Sequence, residues 1–515
     1  MRAYKYGLIF ITGMTALAAE FGASRLLQNV FGSSNLVWSI VIGLILVYFS
    51  VGYWYGGRRA DQDPTYDGLF RLLAIGALAL GVTPLVAAPL LRNAALAFDA
   101  LNLPVLAGAF VSTIIIFSLP ITLLATVTPY MIRLEGSRNE HLGGFAGRVS
   151  AISTLGSVLG AFLPTLFLFG TIGTAKTIIL FATVQCAYVA FGWFLMGNRA
   201  FGARRWLVFL LPLFLFLMLI LYNGPLKITP GQVYETESDY NYIEVLQYGG
   251  DTFLRLNEGQ GFHSQYNPDT LFYGGPWEQF LVAPLFLPAF NSSMVSDIAI
   301  VGLAAGTSAR QARNMYPQTN IDGFEIDGKI VEVGKAYFGL DPADVNIHIG
   351  DGRSLLAQSS AIYDIIAVDA YRPPYIPPHL TTVEFFEICK ARLKQNGMVA
   401  INVGRTNTDR RLINDMATTL SQVFERVFIM DLPGTMNSII FAGPLEASIY
   451  NYANNYAHLV AQAKKGDLLL QTTTHTVNSI SSQFEHGNIY TDDRSQIEWA
   501  TNGLVLNFLF SEQNQ

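Results

Sequence analysis

Charge is scarce in this sequence. Of its 515 residues only 14% are Asp, Glu, Lys or Arg, where soluble proteins carry about 25%. The deficit is concentrated in the first half, so the chain has two chemical regimes. Cysteine is scarcer still. Cys186 and Cys389 lie far apart, one in each regime. That excludes a disulfide framework and leaves no metal-ligand spacing, so no metal is expected. The net charge of −6 comes without a basic stripe, which argues against nucleic acid as a partner. No Ser-His-Asp set, phosphate loop or haem motif is present.

What is abundant is apolar sequence, 51% of the chain. Runs of about 20 residues, enough to cross a bilayer, recur up to Tyr222. They fall near Leu8–Leu27, Leu36–Tyr55, Leu72–Leu91, Val105–Met131, Val149–Phe169, Thr177–Met196 and Trp206–Tyr222. The first lacks a cleavage site and leads straight into more spans, so it is not a signal peptide. The fourth contains Pro120, which predicts a kink or tilt. The fifth contains Gly156-Ser-Val-Leu-Gly160, a small-residue spacing that lets helices approach closely. Glu20 and Arg25 either form an intramembrane pair or pathway or lie near the interface, where long side chains reach water; the second reading is the one taken.

Lys and Arg are distributed unevenly between the spans. Arg2, Lys5, Arg58, Arg59, Arg71, Arg133, Arg138, Arg148, Arg199, Arg204 and Arg205 fall on one side. Arg25, Arg92 and Lys176 fall on the other. The bias puts the N-terminus in the cytoplasm. The expectation is a multi-pass membrane protein, with the bilayer as partner. Seven crossings would leave everything after Tyr222 outside the cytoplasm.

From Pro225 the pattern changes. Tyr240–Ser264 reads as a small antiparallel β unit broken by Gly-Gly and Asn-Glu-Gly. Trp277–Phe290 looks helical. Strands and helices then alternate: Asp297–Gly302, Thr307–Tyr316, Ile321–Asp327, Lys329–Phe338, Val345–Gly350, Tyr363–Asp369 and Met398–Gly404. Such alternation predicts an α/β Rossmann-like domain, a mostly parallel sheet with helices on both faces. The predicted units are 1–224, about seven membrane helices; 225–272, the β unit; 273–450, the Rossmann-like domain; and 451–515, a helical and loop extension.

Sheets of this kind bind ligands beyond the carboxyl ends of their strands. Three acids stand there: Glu325 ends the second strand, Asp351 with Gly352 follows the third, and Asp369 ends the fourth. The first strand runs into Gly302-Leu-Ala-Ala-Gly306, a glycine turn opening a helix. Glu325 follows Gly302 by 23 residues, near the offset of about 20 at which an acid meets a ribose hydroxyl. The turn lacks a middle glycine, which argues against a dinucleotide diphosphate. A nucleoside with a sulfonium tail needs no phosphate cradle, only acids and an apolar slot.

These residues resemble the spermidine synthase family over about 240–443. "TVTPYMIRL", "STLGSVLGAFLP" and "YTDDRSQIEW" are similar to the bacterial subfamily in which that domain follows a multi-span membrane region. The resemblance implies that Gly302, Gly306, Glu325, Asp351 and Gly352 bind the nucleoside, with Glu325 on the ribose and Asp351 on adenine. It implies that Asp369 helps deprotonate an attacking amine. The co-substrate would be decarboxylated S-adenosylmethionine or S-adenosylmethionine, with no tightly bound cofactor. A polyamine partner and a homodimer or membrane complex are further implications.

The sequence departs from the family at the amine end of the site. Ala305 stands where the glycine turn normally carries an acid. Arg372 stands where a second acid would meet the acceptor. Pro276 or Trp277 replaces one tyrosine, and "GTMNSIIF" lacks another; Tyr371, Tyr375 and His379 are the candidate substitutes. Three readings stay open. They are an aminopropyltransferase, an alkyl- or methyltransferase with another acceptor, and an accessory subunit with a degenerate synthase domain. Two further segments stand out. Glu258–Gln265, with His263, either closes over the nucleoside or forms a β-turn. Thr491–Trp499 either contacts the site or membrane half, or is a solvated loop.

Overall fold

The computed structural model describes residues 2–31, 35–101, 105–136, 142–196, 206–223, 229–257, 261–371, 376–406, 408–462, 466–497, 500–501 and 503. The chain divides into two compact units. One comprises Met1–Pro230 with Glu235–Tyr242, the other Gly231–Tyr234 with Ile243–Gln515.

The first unit is helical: α1 (Arg2–Phe31), α2 (Asn35–Gln62), α3 (Tyr66–Leu101), α4 (Val105–Ala125), α5 (Val127–Gly136), α6 (Leu142–Leu163), α7 (Phe169–Ile172), α8 (Thr174–Met196) and α9 (Leu210–Leu221). Six spans among the described residues are long and apolar enough to cross a membrane. In place of the seventh expected span, Trp206–Tyr222, stands a shorter apolar helix, Trp206–Leu221. The chain passes unbroken through Pro120 inside α4. It breaks instead at Thr126, between α4 and α5. The reason is Pro129, which has no N–H for the carbonyl four residues back, that of Ala125.

Close packing joins α1 to α6. A Cβ on Gly156 would run into the Phe10 carbonyl oxygen, and one on Gly160 into that of Met14. The spacing noted in the sequence is therefore a helix–helix contact. Gly143, on the same helix, faces open space. Gly156→Leu is expected to lower thermal stability in detergent by ~1–3 kcal/mol or more through overpacking. Gly143→Leu should leave the melting temperature unchanged. Equal melting of the two variants would refute the contact.

The path of the short helix is fixed by its ends. Trp206, just before α9, packs on Phe194 near the end of α8, ring centroids 4.7 Å apart. Just beyond α9, Asn223 accepts a bond from Lys176 near the start of α8 at 3.2 Å. So α9 runs antiparallel to α8 and returns the chain to the end of the bundle where α8 begins. The same end holds Arg25, which donates to the Ser238 and Asp239 carbonyls. There too the Thr174 amide meets Glu237 at 2.6 Å. The opposite end holds Lys5 paired with Glu135 at 2.6 Å and Arg133 paired with Asp61 at 2.7 Å.

A four-stranded antiparallel sheet follows, in the order β1 (Gln232–Glu237), β2 (Tyr242–Tyr248), β3 (Asp251–Leu256) and β4 (Phe262–Tyr266). Next come α10 (Pro276–Gln279) and a 3-10 run, Phe280–Phe286, where one longer helix was expected. Pro284 lies inside that run.

The large sheet is built from β5 (Asp297–Val301), β6 (Asn320–Glu325), β7 (Asn346–Ile349), β8 (Tyr363–Val368), β9 (Leu393–Gly404), β10 (Arg426–Asp431), β11 (Asn437–Gly443) and β12 (Ile480–Ser481). Their spatial order is β12-β10-β11-β9-β8-β5-β6-β7. β5 to β9 are mutually parallel, and the pairings of β9 with β11, β11 with β10 and β10 with β12 are antiparallel. The helices are α11 (Thr307–Met315), α12 (Gly328–Tyr337), α13 (Gly352–Gln358), α14 (Val383–Ala391), α15 (Arg411–Leu420), α16 (Ile449–Gln462) and α17 (Leu468–Thr476).

Both faces of β5 are buried. Ile298 and Ile300 join one core layer, and Ala299 and Val301 the other. That is why the strand reads as a continuous apolar run. The chain winds from β5 to β6 and β7 on one side, then to β8 and β9 on the other. The strand order reverses between β5 and β8, and open α/β sheets take ligands at such a point.

Candidate functional site

The glycine turn after β5 comes close to the tip of β8. A Cβ on Gly302 would lie 2.6 Å from the Ala370 amide nitrogen, and its φ is +90°. Only glycine fits both constraints. Ala304 also has positive φ, 48°, a strained value for a residue with a side chain. Glu325 holds it there: the Ala304 amide donates to Glu325 Oε2 at 2.9 Å. The Asp327 amide donates to the other carboxylate oxygen at 3.0 Å. Glu325 is buried. Burial pushes its carboxyl up to about 7, against the two amide donors that favour the charge.

The next strand tip is tied to this one, since the Gly350 amide donates to the Glu325 carbonyl at 2.9 Å. Asp351 caps α13 by accepting from the Ser354 amide at 2.8 Å. Its second oxygen meets His379 Nε2 at 2.8 Å. Partial burial would raise its carboxyl, but the bonds from Ser354 and His379 outweigh that and hold it below the usual range. Ile326, after Glu325, and Ile349, before Gly350, are 40% and 60% exposed. They leave an apolar surface open beside the two acids. Gly352 abuts the end of β5, where a Cβ would lie 2.7 Å from Val301 Cγ1.

Asp369 stands at the switch point. Its amide donates to the Val301 carbonyl at 2.8 Å, which fixes it against β5. Asn402, on β9, donates through Nδ2 to Asp369 Oδ1 at 3.0 Å. Desolvation pushes the Asp369 carboxyl up to about 7, more than the Asn402 bond lowers it. A carboxylate poised near neutrality suits a general base. Asn402 Oδ1 is buried and has no partner among the described residues. Tyr371 donates to the Asn402 carbonyl at 3.3 Å.

The fold thus brings Gly302, Gly306, Glu325, Asp351, Gly352 and Asp369 to one edge of the sheet. The amine-end substitutes divide. Tyr371 lies by Asn402 near Asp369, whereas His379 is engaged at Asp351, away from the base. Arg372 and Tyr375 lie outside the described residues. Ala305 is fully buried and packs with Ile243, Val245, Leu254 and Phe338. Its side chain serves the core between the small sheet and α12. Trp277 is buried too. Asn402 was not singled out in the sequence, although it is the one polar side chain within the run "MVAINV". The segment at Thr491 does reach the site's border. Asp492 grips Arg353 through two bonds, 2.7 and 2.6 Å, and accepts from Thr382 at 2.8 Å.

Sheet order and strand-tip acids define a Rossmann-like domain of the methyltransferase-like type. Comparison with known proteins narrows the class. The spermine/spermidine synthase domain model matches residues 286–443. A probable polyamine aminopropyl transferase of Bifidobacterium longum is 32% identical over 285 residues, 52% of this chain and 61% of that protein. An eEF1A lysine and N-terminal methyltransferase of Mus musculus is 27% identical over 155 residues, 28% of this chain and 22% of that protein. The crystal structure of a probable spermidine synthase from Corynebacterium glutamicum aligns with 20% identity and a TM-score of 0.39. That alignment covers 52% of this chain and 100% of the other. This chain resembles the spermine/spermidine synthase family within its C-terminal unit. It spans less than two thirds of the bifidobacterial relative.

Proposed function

We propose that this chain is a membrane-embedded transferase that moves an alkyl group from an adenosyl sulfonium to an amine. Glu325 and Asp351 bind the nucleoside, with the ribose on Glu325 and the base against Asp351, Ile326 and Ile349. The acceptor nitrogen attacks the carbon next to sulfur. A C–N bond forms, the C–S bond breaks, and its electron pair leaves on sulfur as a neutral thioether. The ammonium proton goes to Asp369. Holding nitrogen and carbon in line supplies much of the rest of the rate. The observation that carries the reading is Asp369 itself: a carboxyl at the switch point, raised to about 7 and oriented by Asn402. With decarboxylated S-adenosylmethionine as donor, the transferred group is aminopropyl, and the place is polyamine biosynthesis.

A second reading is favoured by Ala305. Its burial in the core leaves no acid in the turn to hold an aminopropyl ammonium, so ordinary S-adenosylmethionine and methyl transfer fit that end as well. The test uses the full chain in lipid nanodiscs with putrescine and each donor in turn. Release of methylthioadenosine from the decarboxylated donor supports aminopropyl transfer. Release of S-adenosylhomocysteine from the ordinary donor supports methyl transfer. Neither product, with any of several amines, would leave a nucleoside-binding accessory subunit.

A further inference from the structure

His263 is a residue of this unit that the reading above leaves unused. It lies in β4, and the pairing of β3 with β4 slips beside it. Leu254 pairs with Ser264 and the adjacent Arg255 with Phe262, so His263 is the extra residue of a β-bulge. A bulge takes one side chain out of the strand's alternation and often occurs beside active sites. This one is pinned to the glycine turn. The Ala305 amide donates to Ser264 Oγ at 3.0 Å, next to the Ala304 amide that Glu325 holds at 2.9 Å. Gln265 and Thr307 exchange two further bonds, at 3.0 and 2.9 Å.

The imidazole Nε2 of His263 is closed off from solvent and has no hydrogen-bond partner among the described residues. Burial lowers the ring to about 4, so it is neutral near pH 7. A neutral imidazole left unpaired costs free energy, and such atoms persist where function recovers the cost. The ribose of an adenosyl ligand carries two neighbouring hydroxyls. Glu325 and Ser264, next to His263 in the bulge, accept from successive amides of one turn.

We propose that His263 is a nucleoside-binding residue whose Nε2 bonds a ribose hydroxyl of the adenosyl group held by Glu325. The inference rests on the nucleoside reading of the site. Calorimetry on the full chain in nanodiscs tests it with four probes: 5′-methylthioadenosine, its 2′-deoxy and 3′-deoxy forms, and free adenine. His263→Ala should weaken methylthioadenosine about tenfold, the loss of one bond to a buried partner. One deoxy form should bind the variant as well as it binds the wild type, because the lost hydroxyl and the lost imidazole are partners. Adenine should bind both alike, and His263→Gln should restore part of the affinity.

If His263→Ala binds methylthioadenosine like the wild type, the inference falls and the nucleoside site stands. If the variant loses adenine equally, or both deoxy forms lose as much in the variant as in the wild type, His263 acts only through packing. If the wild type itself binds none of the four, the nucleoside reading fails first.

Discussion

Asp369→Asn is expected to cut turnover by roughly 10²–10⁴-fold, the usual range for losing a positioned general base. Nucleoside affinity should stay within a few fold. Asparagine keeps the volume but accepts no proton. An alkylammonium acceptor is protonated near neutrality, so without a base it stays a poor nucleophile. The wild-type rate at saturating substrate should rise with pH and level off above about 7, where Asp369 is ionised. Glu325 also ionises near 7, but it would act on nucleoside binding, so its effect belongs in KM. A pH-independent residual rate in Asp369→Asn with KM unchanged would match the assignment. Unchanged turnover would remove Asp369 from the chemistry.

Stability supplies a control with a definite sign. The Asp369 carboxyl is raised from an ordinary value of 3.8 to about 7 in the folded chain. Between those values the folded state keeps a proton that the unfolded state has lost. Stability therefore falls as pH rises through that window. Asparagine removes this contribution, so the variant should melt no lower than the wild type at pH 8. A variant that is inactive and unfolded would carry no information, and this comparison guards against that.

How much of this was legible in the sequence depends on what kind of signal each part leaves. The strands β5 to β9 announce themselves because both faces are buried, which forces apolar runs. Glu325, Asp351 and Asp369 stand out as candidates because three acids end or follow runs in register, although one alone could as well cap a helix, as Asp351 does for α13. Asn402 was harder. It sits within a strand, and its importance lies in a bond to Asp369 across 33 residues. The fate of Ala305 was also hidden. Sequence alone shows a missing acid; the fold shows a methyl group packed against Ile243, Val245 and Leu254. Pro120 pointed to a kink or tilt, while the break in the helix falls at Thr126, upstream of Pro129. A proline disturbs the turn before it, and the carbonyl it deprives lies four residues back.

A reporter enzyme active only outside the cytoplasm, fused after Thr229, is expected to be active, and one fused near Arg204 to be silent. The tally of Lys and Arg puts the N-terminal end of the bundle in the cytoplasm. Helix α9 is short: its twelve helical residues span about 18 Å at 1.5 Å each. Length alone would let it fail to cross. Its contacts nonetheless run the length of α8, from Phe194 at one end to Lys176 at the other. Residues Glu237 to Asp239 then settle beside Arg25 and Thr174, on the end that the charge tally leaves poor in cations. That path would make seven passages and an exit outside the cytoplasm. S-adenosylmethionine is made inside, so an active outer fusion would mean that the site draws its nucleoside from the far side or serves for binding alone. A silent fusion would mean that α9 dips back without crossing, and the transferase chemistry at Asp369 would then have its donor at hand.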